Sequence, residues 1–325
     1  MFFLDARMTE SKVRQSNLEL LRIVAMLLIV AHHFLIATGK LDYRTGVLRG
    51  GEFLNAFCVV GVNSFILISG YFGIKFRISK ILDLLFVIMS VLAVDFLLGM
   101  TGAEIFDSQY ATHTINPFVK GCNWFLPAYI ALMFLAPVLN KAVCNAGGKE
   151  LRMWAVLLAI VNLYAYFCSV GSVNSNGYTI FQFIYLYITG ACLRRVGHVS
   201  KIIAAGLYTG GAVAAWLVSQ YVGAGYKAFA YNSPQVLVAS VGFFMLFASL
   251  DIRSRLVNRA ARAVFVVFLF HYIILKWLKN CDSPLIVAAL YVSVFVAAGL
   301  LNEIISLLYN ALCSVAARVR NRLCR

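Results

Sequence analysis

The chain has 325 residues, of which 62% are hydrophobic and 13% charged, and its mean hydropathy is +0.85. Soluble globular domains contain about 45–50% apolar residues, so this composition excludes an ordinary soluble protein and indicates a polytopic membrane protein. The net charge of +15 is accounted for by basic loops between apolar windows and does not call for a nucleic-acid partner.

Ten apolar windows have lengths near the ~20 residues that a helix needs to cross a bilayer. Because lipid accepts only helices or closed barrels, and these windows lack strand alternation, they predict an all-α polytopic bundle of about ten transmembrane helices. Window 178–193 is the shortest, and window 284–312 is long enough for a span followed by an interfacial helix. The windows are 17–37, 52–73, 81–100, 122–140, 153–171, 178–193, 202–222, 234–250, 262–279 and 284–312.

The positions of Lys and Arg between these windows predict the orientation, since cytoplasmic loops carry an excess of basic residues. Most of the 28 basic residues fall on one side if the N-terminus is cytoplasmic. We therefore expect both termini in the cytoplasm, a multi-pass protein of the plasma or inner membrane, and anionic membrane lipid as a partner. Residues 1–325 are expected to form one transmembrane domain, with short tails at 1–16 and 313–325 and no extra soluble domain.

The eight cysteines form no CxxC pair and have no spacing with histidine that suits zinc, so no metal site is predicted. Cys122 and Cys281 both fall near the predicted outer face. The sequence is compatible with a disulfide between these two cysteines and also with two free thiols.

The first window, SNLELLRIVAMLLIVAHHFLIA, carries Glu19, Arg22, His32 and His33. A charge near the bilayer centre costs roughly 2.5 kcal/mol or more, so such residues usually face a polar interior. At about 100° per residue, Arg22 and His33 lie within about 20° of one another, about 16 Å apart along the axis, and His32 points about 80° away. Glu19 lies on the same stripe and can pair with Arg22.

Spacing alone leaves two interpretations of this face. In the first, Glu19 and Arg22 form a structural ion pair near the headgroups and the histidines are hydrogen-bonded to neighbouring helices. In the second, His33 is a general base in a water-accessible cavity, because its ordinary pKa suits proton transfer near neutrality.

Four motifs resemble those of the membrane-bound acyltransferase-3 family, in order and at similar spacings over nearly the whole chain. LELLRIVAMLLIVAHHF is similar to the family signature of a basic residue, ten intervening residues and a histidine, with Arg22 and His33 in the signature places. The others are FILISGYFGIKFRISK, WFLPAYIALMFLAPVLN and FLFHYIIL. The resemblance implies an integral membrane O-acyltransferase that moves an acyl group, usually acetyl from cytoplasmic acetyl-CoA, to a hydroxyl of a glycan at or beyond the outer face.

This chemistry fits the first window. A sugar hydroxyl is a poor nucleophile and needs a base within hydrogen-bonding reach, and His33 is the only such group at depth on the Arg22 stripe. We expect His33 to be the catalytic base. Arg22 and Glu19 would contact the donor or hold the helix in register.

The donor side is predicted at the basic turn after the second window. Acyl-CoA ends in phosphates, which require fixed cations, and Lys75, Arg77 and Lys80 follow Ser69 there. The alternatives are positive-inside anchoring for the basic residues and close helix packing for Ser69 with Gly70. The family often has two arginines three apart at this point, and Lys80 keeps the charge but lacks the bidentate fork.

Candidate residues for the acceptor side are Trp124, Tyr129 and His271. We expect Trp124 and Tyr129 at the outer interface, where aromatic belts occur in any case and where Trp124 can stack on a sugar. His271 lies in the ninth window, and its alternative is a hydrogen-bonded packing histidine. The expected acceptor is a glycan or lipid-linked saccharide of unspecified identity.

A second function class uses the same kinds of residue. Proton-coupled transporters and lipid or glycan flippases also bury His, Arg and Glu near the midplane. They more often show inverted repeats, which this sequence lacks. The sequence leaves open the acyl group, the acceptor and the oligomeric state, including a homo-oligomer.

Overall fold

The computed structural model describes residues 15–43, 47–100, 124–197, 199–222, 225–275 and 283–323. These residues are predominantly helical, and no β-strand occurs among them. The helices are α1 Ser16–Ala37, α2 Glu52–Cys58, α3 Val60–Phe72, α4 Ile78–Leu98, α5 Phe125–Asn145, α6 Gly148–Phe167, α7 Gly171–Asn174, α8 Ile180–Val196, α9 Lys201–Tyr221, α10 Pro234–Ala248, α11 Arg255–Ala260, α12 Val264–Leu275 and α13 Pro284–Leu323, with 3₁₀ turns at Gly225–Phe229 and Ala261–Ala263.

The predicted helical membrane bundle is confirmed. In the described part of the chain, nine segments are long and apolar enough to cross a membrane. The shortest predicted window, 178–193, lies on α8, which has 17 residues. The last window is one continuous helix of 40 residues, so it is not divided into a span and a separate interfacial helix.

Helix α3 lies at the centre of the bundle, and each of its residues from Val60 to Gly70 is buried. Small residues allow its neighbours to approach closely. A Cβ at Gly61 would lie 2.7 Å from the Ala25 carbonyl oxygen of α1, and a Cβ at Gly70 would overlap the main chain of Tyr187 in α8. The close packing expected for the Ser69–Gly70 pair is therefore seen at Gly70, as in other membrane helix pairs.

Helices α1 and α12 run side by side in the same direction. Near their starting end, Ser16 Oγ accepts a hydrogen bond from the Ser254 N–H at 3.1 Å, just before α11. At the other end, His33 contacts Tyr272. We call these two ends of the bundle the Arg22 end and the His33 end.

Candidate active site

His33 is held by one ring nitrogen so that the other is available as a base. Its Nδ1 lies 2.9 Å from the Ile29 carbonyl oxygen, one turn earlier in α1. A carbonyl oxygen only accepts, so Nδ1 carries the hydrogen and Nε2 of the neutral ring has a lone pair. The Tyr272 hydroxyl of α12 lies 3.1 Å from Nε2 and donates to it.

A second histidine joins this pair from α12. The His271 ring centroid is 4.9 Å from that of His33 and 4.1 Å from that of Tyr272. His271 is completely buried, and its Nδ1 lies 3.2 Å from the Val267 carbonyl oxygen. Its Nε2 is also buried and has no hydrogen-bond partner among the described residues. Three chemically active side chains therefore meet where α1 and α12 adjoin.

His32 has different partners, as its position on the helix predicted. Its Nδ1 lies 2.6 Å from Asn55 Oδ1 in α2, and Asn55 Nδ2 donates to the Tyr43 hydroxyl at 2.9 Å. His32 therefore belongs to a hydrogen-bond chain that ties α1 to α2 and the preceding loop.

Arg22 lies inside the bundle with 7% of its surface exposed. Its Nη1 donates to both carboxylate oxygens of Glu19 at 2.9 Å, so the expected ion pair is present. The guanidinium carbon is also 6.0 Å from the centre of the Phe72 ring. A buried Arg22 and a partly buried Glu19 thus form an ion pair on α1, closer to the Arg22 end than the His33 cluster is.

Ser69 and Tyr129 meet on neighbouring helices. Ser69 Oγ donates to the Phe65 carbonyl oxygen at 2.8 Å and lies 3.3 Å from the Tyr129 hydroxyl. Tyr129 has 9% of its surface exposed. The expectation that Tyr129 lies at the outer interface beside Trp124 is therefore wrong, because its hydroxyl is in the interior next to a residue predicted for the donor side.

A cavity with about 910 Å³ of empty space, part of it open to the outside, connects the basic turn to the interior. Lys75 and Lys80 lie in its wall with Tyr129, whereas Arg77 is exposed and does not line it. The remaining lining residues are Ile29, Val62, Phe65, Ile74, Asp83, Leu84, Phe125, Met133, Val264, Phe265 and Phe268. The walls are thus mainly apolar, and the charged side chains among them are Lys75, Lys80 and Asp83, whose carboxylate accepts a hydrogen bond from the Tyr309 hydroxyl.

This cavity reaches close to the histidine cluster. Ile29 is one turn before His33 in α1, and Phe268 is one turn before Tyr272 in α12. One helical turn rises about 5.4 Å. The cavity therefore extends to within about one helical turn of His33 along α1 and of Tyr272 along α12.

Three hydrogen bonds hold the basic turn in place. The Tyr187 hydroxyl accepts from the Ile74 N–H at 2.8 Å and donates to Asn140 Oδ1 at 2.6 Å, and Asn140 Nδ2 donates to the Ile74 carbonyl oxygen at 2.8 Å. Gly73, just before this turn, has φ of +74°, a conformation that glycine adopts without strain. Asn140 of α5 and Tyr187 of α8 thereby fix the backbone at Ile74, just before Lys75.

The model of one protein family, described as an acyltransferase domain (acyltransferase-3), matches residues 15–310, nearly the whole chain. The chain belongs to this acyltransferase family. No curated protein and no solved structure matches it. The match includes the first-helix motif, the basic turn and the histidine cluster of α12, so the cavity and the cluster lie within the acyltransferase domain.

In this acyltransferase, Trp124 lies in an aromatic cluster and not alone at a surface. Its ring is 4.5 Å from Tyr178 in a T-shaped arrangement and 5.5 Å from Tyr231, measured between centroids. Phe183 of α8 is 6.0 Å away. Stacking on a sugar stays a prediction for Trp124.

Sequence reasoning missed Tyr272 in the candidate site. It also missed Tyr187 and Asn140, which hold the basic turn. Tyr272 directly follows His271, which is the one signal that points to it. Cys122 and Cys281 lie outside the described residues, so their pairing stays a prediction.

Proposed function

We propose that this acyltransferase takes an acetyl group from acetyl-CoA and transfers it to a hydroxyl of a cell-surface or lipid-linked glycan, with His33 as the general base. The cavity between the basic turn and the histidine cluster is the observation that supports this most strongly. It offers cations at one end and apolar walls along its length, and it extends to within about one helical turn of a histidine whose tautomer leaves Nε2 as a base. A thioester donor requires this combination.

The donor would bind from the Arg22 end. Its phosphates require fixed cations, and Lys75 and Lys80 lie in the cavity wall with Arg77 close by in sequence. The apolar walls suit the uncharged arm and the acyl group, which would lie between Tyr129 and Phe268. This assignment puts the Arg22 end in the cytoplasm, in agreement with the orientation that the basic loops predict.

The acceptor hydroxyl would replace the Tyr272 hydroxyl at His33 Nε2. Its oxygen attacks the thioester carbonyl carbon while Nε2 takes its proton, and a tetrahedral intermediate forms. Collapse of the intermediate breaks the C–S bond, and the imidazolium returns the proton to the departing CoA sulfur. The products are an acetyl ester and CoA, and His33 is again neutral.

Arg22 and Glu19 would act indirectly in this reaction. Arg22 is buried and Glu19 partly buried on α1, toward the Arg22 end from His33, and an ion pair in this position would hold the helix in one register. Arg22 is also a cation within the helix that carries the base, on the side where the donor would enter.

Product formation tests the proposal. Purified protein in lipid nanodiscs would be incubated with acetyl-CoA labelled in the acetyl group and with lipid-linked and free glycan fractions of its host membrane. We expect release of free CoA thiol together with label in the glycan fraction that is removed by mild alkali, as an ester is. A proton-coupled transporter or flippase would give neither product, and that result would overturn the proposed function.

A further inference from the structure

His33 and His271 are held in the same way on two parallel helices. Each ring places Nδ1 against the carbonyl oxygen four residues earlier in its own helix, at 2.9 Å for His33 and 3.2 Å for His271. Both rings therefore carry hydrogen on Nδ1 and a lone pair on Nε2. With ring centroids 4.9 Å apart, the two side chains provide a pair of hydrogen-bond acceptors.

The two acceptors differ in what they bind. His33 Nε2 receives the Tyr272 hydroxyl at 3.1 Å. His271 Nε2 is fully buried and has no hydrogen-bond partner in the described part of the chain. A buried acceptor that lacks a donor destabilises the folded protein, and such atoms in native proteins call for an explanation.

Tyr272 contacts both histidines. Its hydroxyl occupies the base, and its ring lies against that of His271, with centroids 4.1 Å apart and planes tilted by 40°. Tyr272 is partly exposed, unlike His271. Movement of this one side chain would therefore open His33 and His271 together to the same incoming molecule.

We propose that His271 binds the acceptor, its Nε2 accepting a hydrogen bond from the hydroxyl adjacent to the one that His33 deprotonates. The acceptor is then acylated at one hydroxyl of a vicinal diol, which saccharides supply and isolated alcohols do not. This inference rests on the proposed function, because it assumes that an acceptor hydroxyl reaches His33. It identifies the acceptor by a pair of neighbouring hydroxyls, in which one reacts and the other is recognised.

Two simple alcohols test the inference. CoA release from acetyl-CoA by the purified protein in nanodiscs would be measured with cis-1,2-cyclohexanediol and with cyclohexanol, and the ester product would be confirmed by mass spectrometry. The diol has two hydroxyl groups and cyclohexanol has one, so the two KM values are compared per hydroxyl group. On that basis we expect the KM for the diol to be roughly tenfold lower than the KM for cyclohexanol.

The variants separate recognition from packing. His271→Phe should remove the preference for the diol, so that kcat/KM for the diol falls more than kcat/KM for cyclohexanol, whereas His271→Gln should restore part of the preference because its amide oxygen accepts a hydrogen bond. Thermal unfolding of both variants shows whether each is folded.

Three results would count against this assignment. Equal KM values for the two alcohols in the unaltered protein, or a diol preference that His271→Phe retains, would overturn the role of His271 while leaving acyl transfer intact. Parallel loss of the reaction with both alcohols in His271→Phe and His271→Gln would make His271 a packing residue. Absence of CoA release with every acceptor in the unaltered protein would overturn the proposed function itself.

Discussion

The hydroxyl of Tyr187 offers a test of the donor site without touching any residue that would contact the donor. It takes part in two of the three hydrogen bonds that hold the turn before Lys75, one from the Ile74 N–H and one to Asn140. Tyr187→Phe removes both and leaves only the bond from Asn140 to the Ile74 carbonyl oxygen. At about 1 kcal/mol net for each bond, the ordered turn loses about 2 kcal/mol.

This loss should appear in donor binding. Because 1.4 kcal/mol corresponds to a factor of ten, and because only the ordered fraction of the turn binds the donor, we expect the KM for acetyl-CoA to rise about tenfold. The kcat should stay close to that of the unaltered protein, because His33 and Tyr272 are not affected. Steady-state CoA release at saturating acceptor, with acetyl-CoA varied, measures both constants.

Tyr185→Phe is the matched control. It removes another buried tyrosine hydroxyl from α8, two residues away, that does not bond to the turn. Its KM for acetyl-CoA should be unchanged. An unchanged KM in Tyr187→Phe, or the same rise in both variants, would refute the argument that the turn before Lys75 positions the donor.

The cavity cations, the ion pair of Glu19 with Arg22, and Tyr272 can each be tested by substitution. The double variant Lys75→Ala, Lys80→Ala should raise the KM for acetyl-CoA and weaken the dependence of this KM on salt, because two cavity cations are lost. Arg77→Ala should have a smaller effect on the KM, and equal effects would mean that the cavity wall is not the phosphate site. Glu19→Gln should destabilise the protein by about 3 kcal/mol, because it leaves the buried Arg22 guanidinium without its carboxylate, and the double variant Glu19→Leu, Arg22→Met should regain most of this loss. Thermal unfolding in detergent measures both effects, and a Glu19→Gln variant as stable as the unaltered protein would contradict the prediction. Tyr272→Phe should lower the KM for the acceptor about fivefold, since the acceptor no longer competes for His33 Nε2; a large fall in kcat would instead make Tyr272 part of the proton transfer.

Helix geometry alone was enough to predict the composition of one face of the first helix. The positions of Glu19, Arg22 and His33 follow from the rise and rotation of an α-helix, and so does the different environment of His32. Membrane helices are long and nearly uniform in hydrophobicity, so their existence also follows from the sequence. The ion pair, which lies within one helix, and the fold class needed no knowledge of tertiary contacts, whereas the burial of Arg22 depends on the neighbouring helices.

The partners of these residues could not be predicted, because they come from distant helices. Tyr272 is 239 residues from His33, and no periodicity relates them. Tyr129 was placed at an interface because its window was assumed to begin at the membrane surface. In the structure its hydroxyl meets Ser69 inside the bundle, and the depth of one helix relative to another is set by packing that a single sequence does not reveal.

The same limit applies to the hydrogen bonds that hold the basic turn. Asn140 and Tyr187 have ordinary positions in their own helices, and their joint contact with Ile74 exists only after α5 and α8 are packed. The unpartnered Nε2 of His271 is likewise a property of the assembled cluster. Orientation in the membrane still rests on the distribution of Lys and Arg.

The central claim is that His33, about one helical turn beyond the cavity-lining residue Ile29, is the general base. The most direct test compares the rate of CoA release from acetyl-CoA by His33→Ala with that by His32→Ala, at saturating donor and acceptor and with folding checked by thermal unfolding. Loss of a general base costs about 10²- to 10⁴-fold, so we expect at least a hundredfold fall in kcat for His33→Ala and a much smaller fall for His32→Ala. Equal losses in two folded variants, or a His33→Ala variant that retains its rate, would contradict the account.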